Sequence, residues 1–236
     1  MAHSPAGTDP HAAAAVTGYH PAVEEYLETI LELEESGIPP MRARLVERLG
    51  VSAPAVSETV GRLAREGYVT LDEQRVVHLT DEGRGYATSI MRRHRLAERL
   101  LVDVLHLPWH QVHEEAGRLE HAISANLEAH LVQLLGDPAT CPHGNPIPGS
   151  RTPAPADPLE PLGDLAPGRS AEVRRISEEI EADADSMLLL EEAGLIPGCA
   201  VDIVDNDRGR LTVRTSLGDS AVPDRVAARV YVAVTR

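Results

Sequence analysis

Nine of the chain's 18 prolines fall within residues 137–168. Proline fixes φ and removes a backbone donor, so neither a regular helix nor a central strand runs through such a segment. The 236 residues must therefore fold as separate modules on either side of it. Before it, apolar residues recur at helical spacing; after it, short alternating or clustered apolar runs dominate. Residues 137–168 read as an extended, surface-lying linker. Residues 169–236 read as a small β-barrel, with strands at 171–176, 200–204, 211–215 and 229–234 and a brief helix near 183–192.

Residues 1–20 are rich in Ala, His, Pro and Gly without apolar periodicity and read as a disordered tail. Helical spacing then begins with Val23, Tyr26, Leu27, Ile30 and Leu31. Glu24, Glu25, Glu28, Glu32, Glu34 and Glu35 take the other faces until Gly37, Pro39 and Pro40 stop the helix. A short helix over 42–49 ends at Gly50, and Ser52 caps another whose first turn tolerates Pro54. In that helix Val56, Val60 and Leu63 share one stripe, leaving Ala53, Pro54, Ser57, Glu58, Arg62 and Arg65 outward. Gly67 ends it, and two short strands, 68–71 and 76–79, cross a polar turn. Helix, turn, helix, hairpin over residues 21–80 is the order of a winged helix-turn-helix domain, which binds DNA in some proteins and docks protein in others.

Charge favours DNA. The formal net charge of -15 argues against indiscriminate coating of nucleic acid, yet residues 42–99 carry eleven Arg against eight acids, a basic island in an acidic chain. With no Phe and one Trp, single-strand binding by base stacking is disfavoured.

Residues 81–136 read as successive helices. Thr80 caps the first, whose Tyr86, Ile90, Ala97, Leu100, Leu101 and Val104 form a broad apolar side that needs either a second copy or an internal partner. Pro108 and Trp109 open the next, and Ser124 caps a third reaching Leu135. The stretch from His94 to His121 holds five of the eleven histidines: His94, His106, His110, His113 and His121. His94 and Glu98 stand four apart, one above the other on a helix, and can close on one ion. From His113 to Glu120 and His121 is about 10 Å of helix rise, too far for one coordination shell and suited to two neighbouring ions. A solvated surface pair is the competing reading of any one such His/Glu pair.

Cys141 and Cys199 are too few for a disulfide framework, no charged apolar leader opens the sequence, and no apolar run approaches the roughly 20 residues that span a bilayer. A cytoplasmic protein without membrane contact is expected. Cys141 and His143 lie in the linker without further metal-type spacing and are taken as incidental. A hydrolase using HEEAGRLEH is the alternative from another class; that stretch lacks HExxH spacing and no nucleophile motif accompanies it, so the chain is not expected to be an enzyme. A metal-storage protein would not need the winged helix.

Four stretches in order, EEYLETILELEESG, MRRHRLAERLL, VHEEAGRLEH and GNPIPG, make the chain resemble the diphtheria-toxin-repressor family of iron- and manganese-dependent transcriptional regulators. The resemblance runs from Val23 to Val234. It implies a mainly α chain with small β parts: a winged helix-turn-helix domain, a helical dimerisation and metal-binding domain, and a C-terminal SH3-like β-barrel. It implies an ancillary metal site at His94, Glu98 and His113, completed by Glu178 and Glu181. For the primary site it supplies Glu120 and His121, with Glu25 where iron regulators carry Met, and Glu28 at a carboxylate position of the manganese branch. Gly117 stands where a Cys or Glu ligand is usual, so only its carbonyl could ligate. Such an oxygen-rich set suits Mn(II) and tolerates Fe(II). Two ions per chain are expected to act as corepressor, holding a homodimer on a palindromic double-stranded operator. Phosphate contacts are expected from Arg42, Arg44, Ser52, Arg62 and Arg75, and base-edge contacts from Pro54, Ala55, Ser57 and Glu58, the last replacing the family's usual Gln.

Overall fold

The computed structural model describes residues 21–207 and 209–235; the expected tail, residues 1–20, lies outside the described residues. The chain divides into two compact units, one up to Ile90 and one from Met91 onward.

The first unit starts with α1 (Pro21–Glu35), which buries Val23, Tyr26, Leu27, Ile30 and Leu31, the stripe read from spacing. Full burial of Leu27 and Ile30 stabilises the unit by about 1.5–3 kcal/mol each. Helix α2 (Arg42–Leu49) ends where Gly50 turns left-handed at φ 63° and its N–H closes on the Val46 carbonyl. Helix α3 (Ala53–Arg65) is capped by Ser52, whose Oγ accepts from the Ala55 N–H, and it buries Val56, Val60 and Leu63. Strands β1 (Val69–Leu71) and β2 (Val77–Leu79) pair antiparallel, Thr70 opposite His78. Asp72 pins the turn between them: its Oδ1 accepts from the Val76 N–H at 2.8 Å and its Oδ2 lies 3.0 Å from His78 Nε2. The order is that of a winged helix. Helix α4 (Asp81–Arg99) follows, its start fixed by Thr80, whose hydroxyl accepts from Gly83 N–H and donates to the Gly67 carbonyl.

Helix α4 carries into the second unit, where it widens into a π-helical turn (Leu100–Val104). Helices α5 (Val112–Leu119) and α6 (Ala125–Leu135), the latter capped by Ser124, complete the helical part. Ala97, Leu101, Val112, Ala116, Ile123 and Leu131 form its core.

The remainder is an SH3-like antiparallel sheet of β3 (Glu160–Pro161), β4 (Ser170–Ile176), β5 (Ala200–Asp207), β6 (Arg210–Thr215), β7 (Gly218–Pro223) and β8 (Val230–Val234) in the order β3-β8-β4-β5-β6-β7. Short helices α7 (Glu178–Glu181) and α8 (Ala184–Glu192) lie between β4 and β5, and α9 (Asp224–Ala227) precedes β8. Four strands match the expectation. β7, sequence GDSAVP, lacks the apolar clustering that marks a strand and is held by its ladder to β6.

The linker expectation needs a correction. Residues 151–160 are mostly exposed, but Cys141, Pro142, His143, Asn145 and Ile147 are buried. The Ile176 N–H donates to the His143 carbonyl at 2.8 Å, which holds this loop on the end of β4. Gly144 permits the approach: its φ is +88°, and a Cβ there would lie 2.0 Å from the Arg174 carbonyl oxygen. Prolines here shape a packed loop rather than a free spacer.

Candidate metal centre

Three elements of the second unit and the loop before its sheet converge on one buried cluster. Helix α4 supplies His94 and Glu98 on adjacent turns, 4% and 1% exposed. Helix α5 supplies His113, the loop supplies Cys141 and His143, and α7 supplies Glu181.

Distances at the centre are short. His113 Nδ1 lies 3.5 Å from Glu98 Oε1 and 3.2 Å from Glu181 Oε2; His143 Nδ1 lies 3.1 Å and 3.0 Å from the same two oxygens. His94 Nε2 is 3.3 Å from Glu98 Oε1 and 3.1 Å from His113 Nδ1. Outer partners orient these rings. His94 Nδ1 sits 2.5 Å from Glu120 Oε2, and His143 Nε2 sits 3.4 Å from the Trp109 carbonyl. Glu120 and the Trp109 carbonyl each face the outer nitrogen of a ring, which turns His94 Nε2 and His143 Nδ1 toward the carboxylates. Asn145 Nδ2 donates to Glu181 Oε1 at 2.8 Å and fixes that carboxylate.

Glu98 Oε2 and Glu181 Oε2 are nevertheless buried without a hydrogen bond. Buried carboxylate oxygens are costly unless a cation or donor meets them. Imidazoles, carboxylates and a thiol around such orphaned oxygens fit a divalent transition-metal ion. The acceptor atoms of His94, Glu98 and His113 lie within 4.8 Å of one another, as do those of Glu98, Cys141 and His143.

The charges respond accordingly. Burial pulls the His113 imidazole down, but the Glu181 and Glu98 carboxylates beside it win and push it up to about 10. Glu98 is held well below the usual carboxylate range: burial opposes this, and the charge of His143 with bonds from His113, His143 and His94 overcomes it. Cys141, buried and facing Glu98, is pushed up to about 12, so its thiol ionises there only beside a cation. A group whose folded value is raised contributes stability that is complete below its unfolded value and lost as pH rises through the folded one. Metal-free protein is thus expected to lose the His113 contribution between pH 6.5 and about 10, read as a falling thermal midpoint by circular dichroism. A flat profile across that window would show that His113 is not held as its cation.

Other expected ligands stand as follows. Glu178, expected beside Glu181, instead gives Oε1 to buried Arg95, whose Nε and Nη2 donate at 2.9 Å and 2.7 Å. Glu120, 1% exposed, lies next to His121, whose Nε2 is 3.4 Å from its Oε1. Gly117 sits in α5 with nothing within 4 Å of where a Cβ would project, so packing does not forbid a ligating side chain there. Glu25 is exposed and Glu28 buried on α1 of the first unit. On the same unit Ser52, Pro54, Ala55, Ser57 and Glu58 form the exposed start of α3, and Arg75, at φ 63°, tips the wing. Arg44 is exposed and pairs with Glu47 at 2.8 Å; Arg42 and Arg62 are half-buried.

Family comparison agrees with this geometry. The family described as "Iron dependent repressor, N-terminal DNA binding domain" matches residues 20–77, "Iron dependent repressor, metal binding and dimerisation domain" matches 80–149, and "FeoA domain" matches 160–234. The iron-dependent repressor IdeR of Mycobacterium tuberculosis is 43% identical over 199 residues, spanning 80% of this chain and 86% of the relative. The diphtheria toxin repressor of Corynebacterium diphtheriae is 40% identical over 225 residues, spanning 89% of this chain and 95% of the relative. This chain belongs to the diphtheria toxin repressor family. A solved "Manganese-dependent transcriptional repressor complex with manganese" superposes with a TM-score of 0.80 at 33% identity, covering 90% of this chain and all of that one. As a member of this family the chain is a metal-dependent DNA-binding transcriptional repressor and not an enzyme, and the hydrolase alternative is set aside. Among the described residues no helix is long and apolar enough to cross a membrane.

Reading Cys141 and His143 as incidental was wrong in position. Both side chains enter the cluster. The sequence signal was available: Cys-x-His followed by Gly144 and Asn145 puts a soft donor, an imidazole and a carboxylate-orienting amide within five residues.

Proposed function

We propose that this repressor binds a palindromic operator as a homodimer when Mn(II) or Fe(II) fills its His/Glu sites. The observation that carries the metal dependence is the pair of buried carboxylates, Glu98 and Glu181, each with an oxygen lacking a hydrogen bond while imidazoles of three different elements face them. A bound divalent cation would displace the imidazole protons and take their place as counter-charge to these carboxylates. In this reading His94, Glu98, His113 and Glu181 are ligands, and Glu178 acts as the partner of Arg95 that fixes α7.

A second site is assigned to Glu120 and His121 together with Glu25, Glu28 and the Gly117 carbonyl, on the strength of the family resemblance. Its oxygen-rich composition favours Mn(II). On DNA, Arg42, Arg44, Ser52, Arg62 and Arg75 contact phosphate. Pro54, Ala55, Ser57 and Glu58 face base edges, where the Glu58 carboxylate accepts from a cytosine amino group. Homodimerisation is supported by apolar residues left exposed on the helical part, Val104, Leu105, Leu127 and Leu134 among them, the last 63% exposed. The place of action is the cytoplasm.

The test is a paired substitution. Glu25→Ala with Glu28→Ala is expected to abolish metal-dependent operator binding in an electrophoretic shift while the circular dichroism spectrum stays native. Full metal response in that variant would remove the second site from the signal.

A further inference from the structure

The wing of the first unit is poorly charged for an element that faces phosphate. Its turn carries Asp72 and Glu73 against Arg75, two acids to one base. Asp72 organises that turn. Its N–H donates to the Val76 carbonyl at 3.2 Å, its carbonyl accepts from the Arg75 N–H at 3.0 Å, and its Oδ1 accepts from the Val76 N–H at 2.8 Å. These bonds hold Arg75 at φ 63°, a left-handed conformation that a residue with a Cβ keeps only where its surroundings impose it. The remaining oxygen, Oδ2, lies 3.0 Å from Nε2 of His78 on β2. The bond from His78 holds the Asp72 carboxyl below its ordinary range, so the carboxylate stays ionised where imidazoles titrate and can only accept from Nε2–H. A proton taken up by the ring then goes to Nδ1. His78 stands between buried Val77 and Leu79, so its side chain, 48% exposed, lies on the solvent side of the hairpin, opposite exposed and uncharged Thr70. Helix α1, packed on β2, has its Glu32 and Glu34 engaged by Arg48 and Arg84.

We propose that His78 is a further DNA-contact residue: Asp72 positions it and Arg75 together, and the protonated ring gives the wing a second cation for the phosphate backbone. The proposal rests on the placement of Arg75 against phosphate and deepens it. In the neutral ring Nδ1 is an acceptor and has nothing to offer a phosphate oxygen. Protonation turns Nδ1 into a charged donor and balances the wing, with Arg75 and His78 against Asp72 and Glu73. The wing's hold on DNA therefore strengthens as pH falls through the range in which histidines change charge, about pH 8 to about pH 5. The sign is opposite to that of the metal sites, whose imidazole ligands must shed protons to bind an ion. A fall in pH that weakens the metal sites is met, on protein that keeps its metal, by a tighter wing.

Fluorescence anisotropy of a labelled duplex from the region upstream of the protein's own gene tests this, with the full chain and with Mn(II) kept saturating at each pH and salt concentration. His78→Gln keeps an amide donor for Asp72 but never carries charge. Its Kd is expected to match that of wild type at about pH 8, which also shows the variant folded, and to exceed it about 3- to 10-fold at about pH 6, for two wings per dimer. The salt dependence of log Kd in wild type should steepen between those pH values by about 0.9 per wing and stay fixed in His78→Gln. His78→Arg, charged throughout, should keep the tighter affinity at both. A Kd ratio and a salt slope that do not change with pH overturn the proposal and leave His78 as a structural partner of Asp72. Arg75→Ala tests the parent reading separately: it should flatten the slope at both pH values, and an unchanged slope takes the wing off the phosphates and overturns both.

Discussion

Arg95→Ala is expected to cost about 3–5 kcal/mol of stability, because it leaves the Glu178 carboxylate buried beside an empty space. Arg95 is fully buried, its Nε and Nη2 both donate to Glu178 Oε1, and its Nη1 donates to the Pro146 carbonyl. One guanidinium thus joins α4, the loop that carries Cys141 and His143, and α7. Removing both charges together, with Arg95→Met and Glu178→Leu, is expected to recover most of the loss, since apolar residues of similar volume often replace a buried pair at little cost. Denaturant unfolding of the metal-free chain measures both. A loss below about 1 kcal/mol for Arg95→Ala, the range of an exposed pair, would mean that this ion pair does not hold the site together.

Glu98→Ala is expected to lower metal affinity at the cluster by at least about 100-fold, at or beyond the upper end of what loss of an outer-shell partner costs a metal site. Glu98 is 1% exposed and lies within 3.5 Å of nitrogens from His94, His113 and His143, so no other ligand reaches as much of the centre. Without it the three rings lose their common counter-charge. His113, now facing Glu181 without Glu98, should titrate nearer its ordinary value, visible in its proton resonance as pH is raised. Calorimetric titration with Mn(II) reads the affinity, and an unchanged constant would place the ion elsewhere.

Much of this was legible in the sequence because local rules and tertiary packing agree. Gly50, Ser52 and Thr80 each cap or end a helix where their chemistry says they should, and Val56, Val60 and Leu63 are buried as their spacing implies. The His94/Glu98 pair was visible because both ligands lie on one helix turn. Glu181 required the family resemblance, since it is distant in sequence from the helices it serves. Cys141 and His143 were missed for a physical reason: prolines on either side signal a spacer, whereas long-range contacts, among them Ile176 N–H to the His143 carbonyl and Gly144 packed on Arg174, turn this stretch inward. The Arg95–Glu178 pair was not legible, because sequence reading cannot show that Arg95, a residue normally exposed, is buried.

The central claim is that metal at these sites switches DNA binding on. Fluorescence anisotropy of labelled DNA from the region upstream of the protein's own gene, titrated with metal-free protein and then with Mn(II) or Fe(II), tests it most directly. Sequence-specific binding that appears only with metal and is reversed by chelation is the predicted result. Equally tight, sequence-specific binding by the metal-free protein would contradict it.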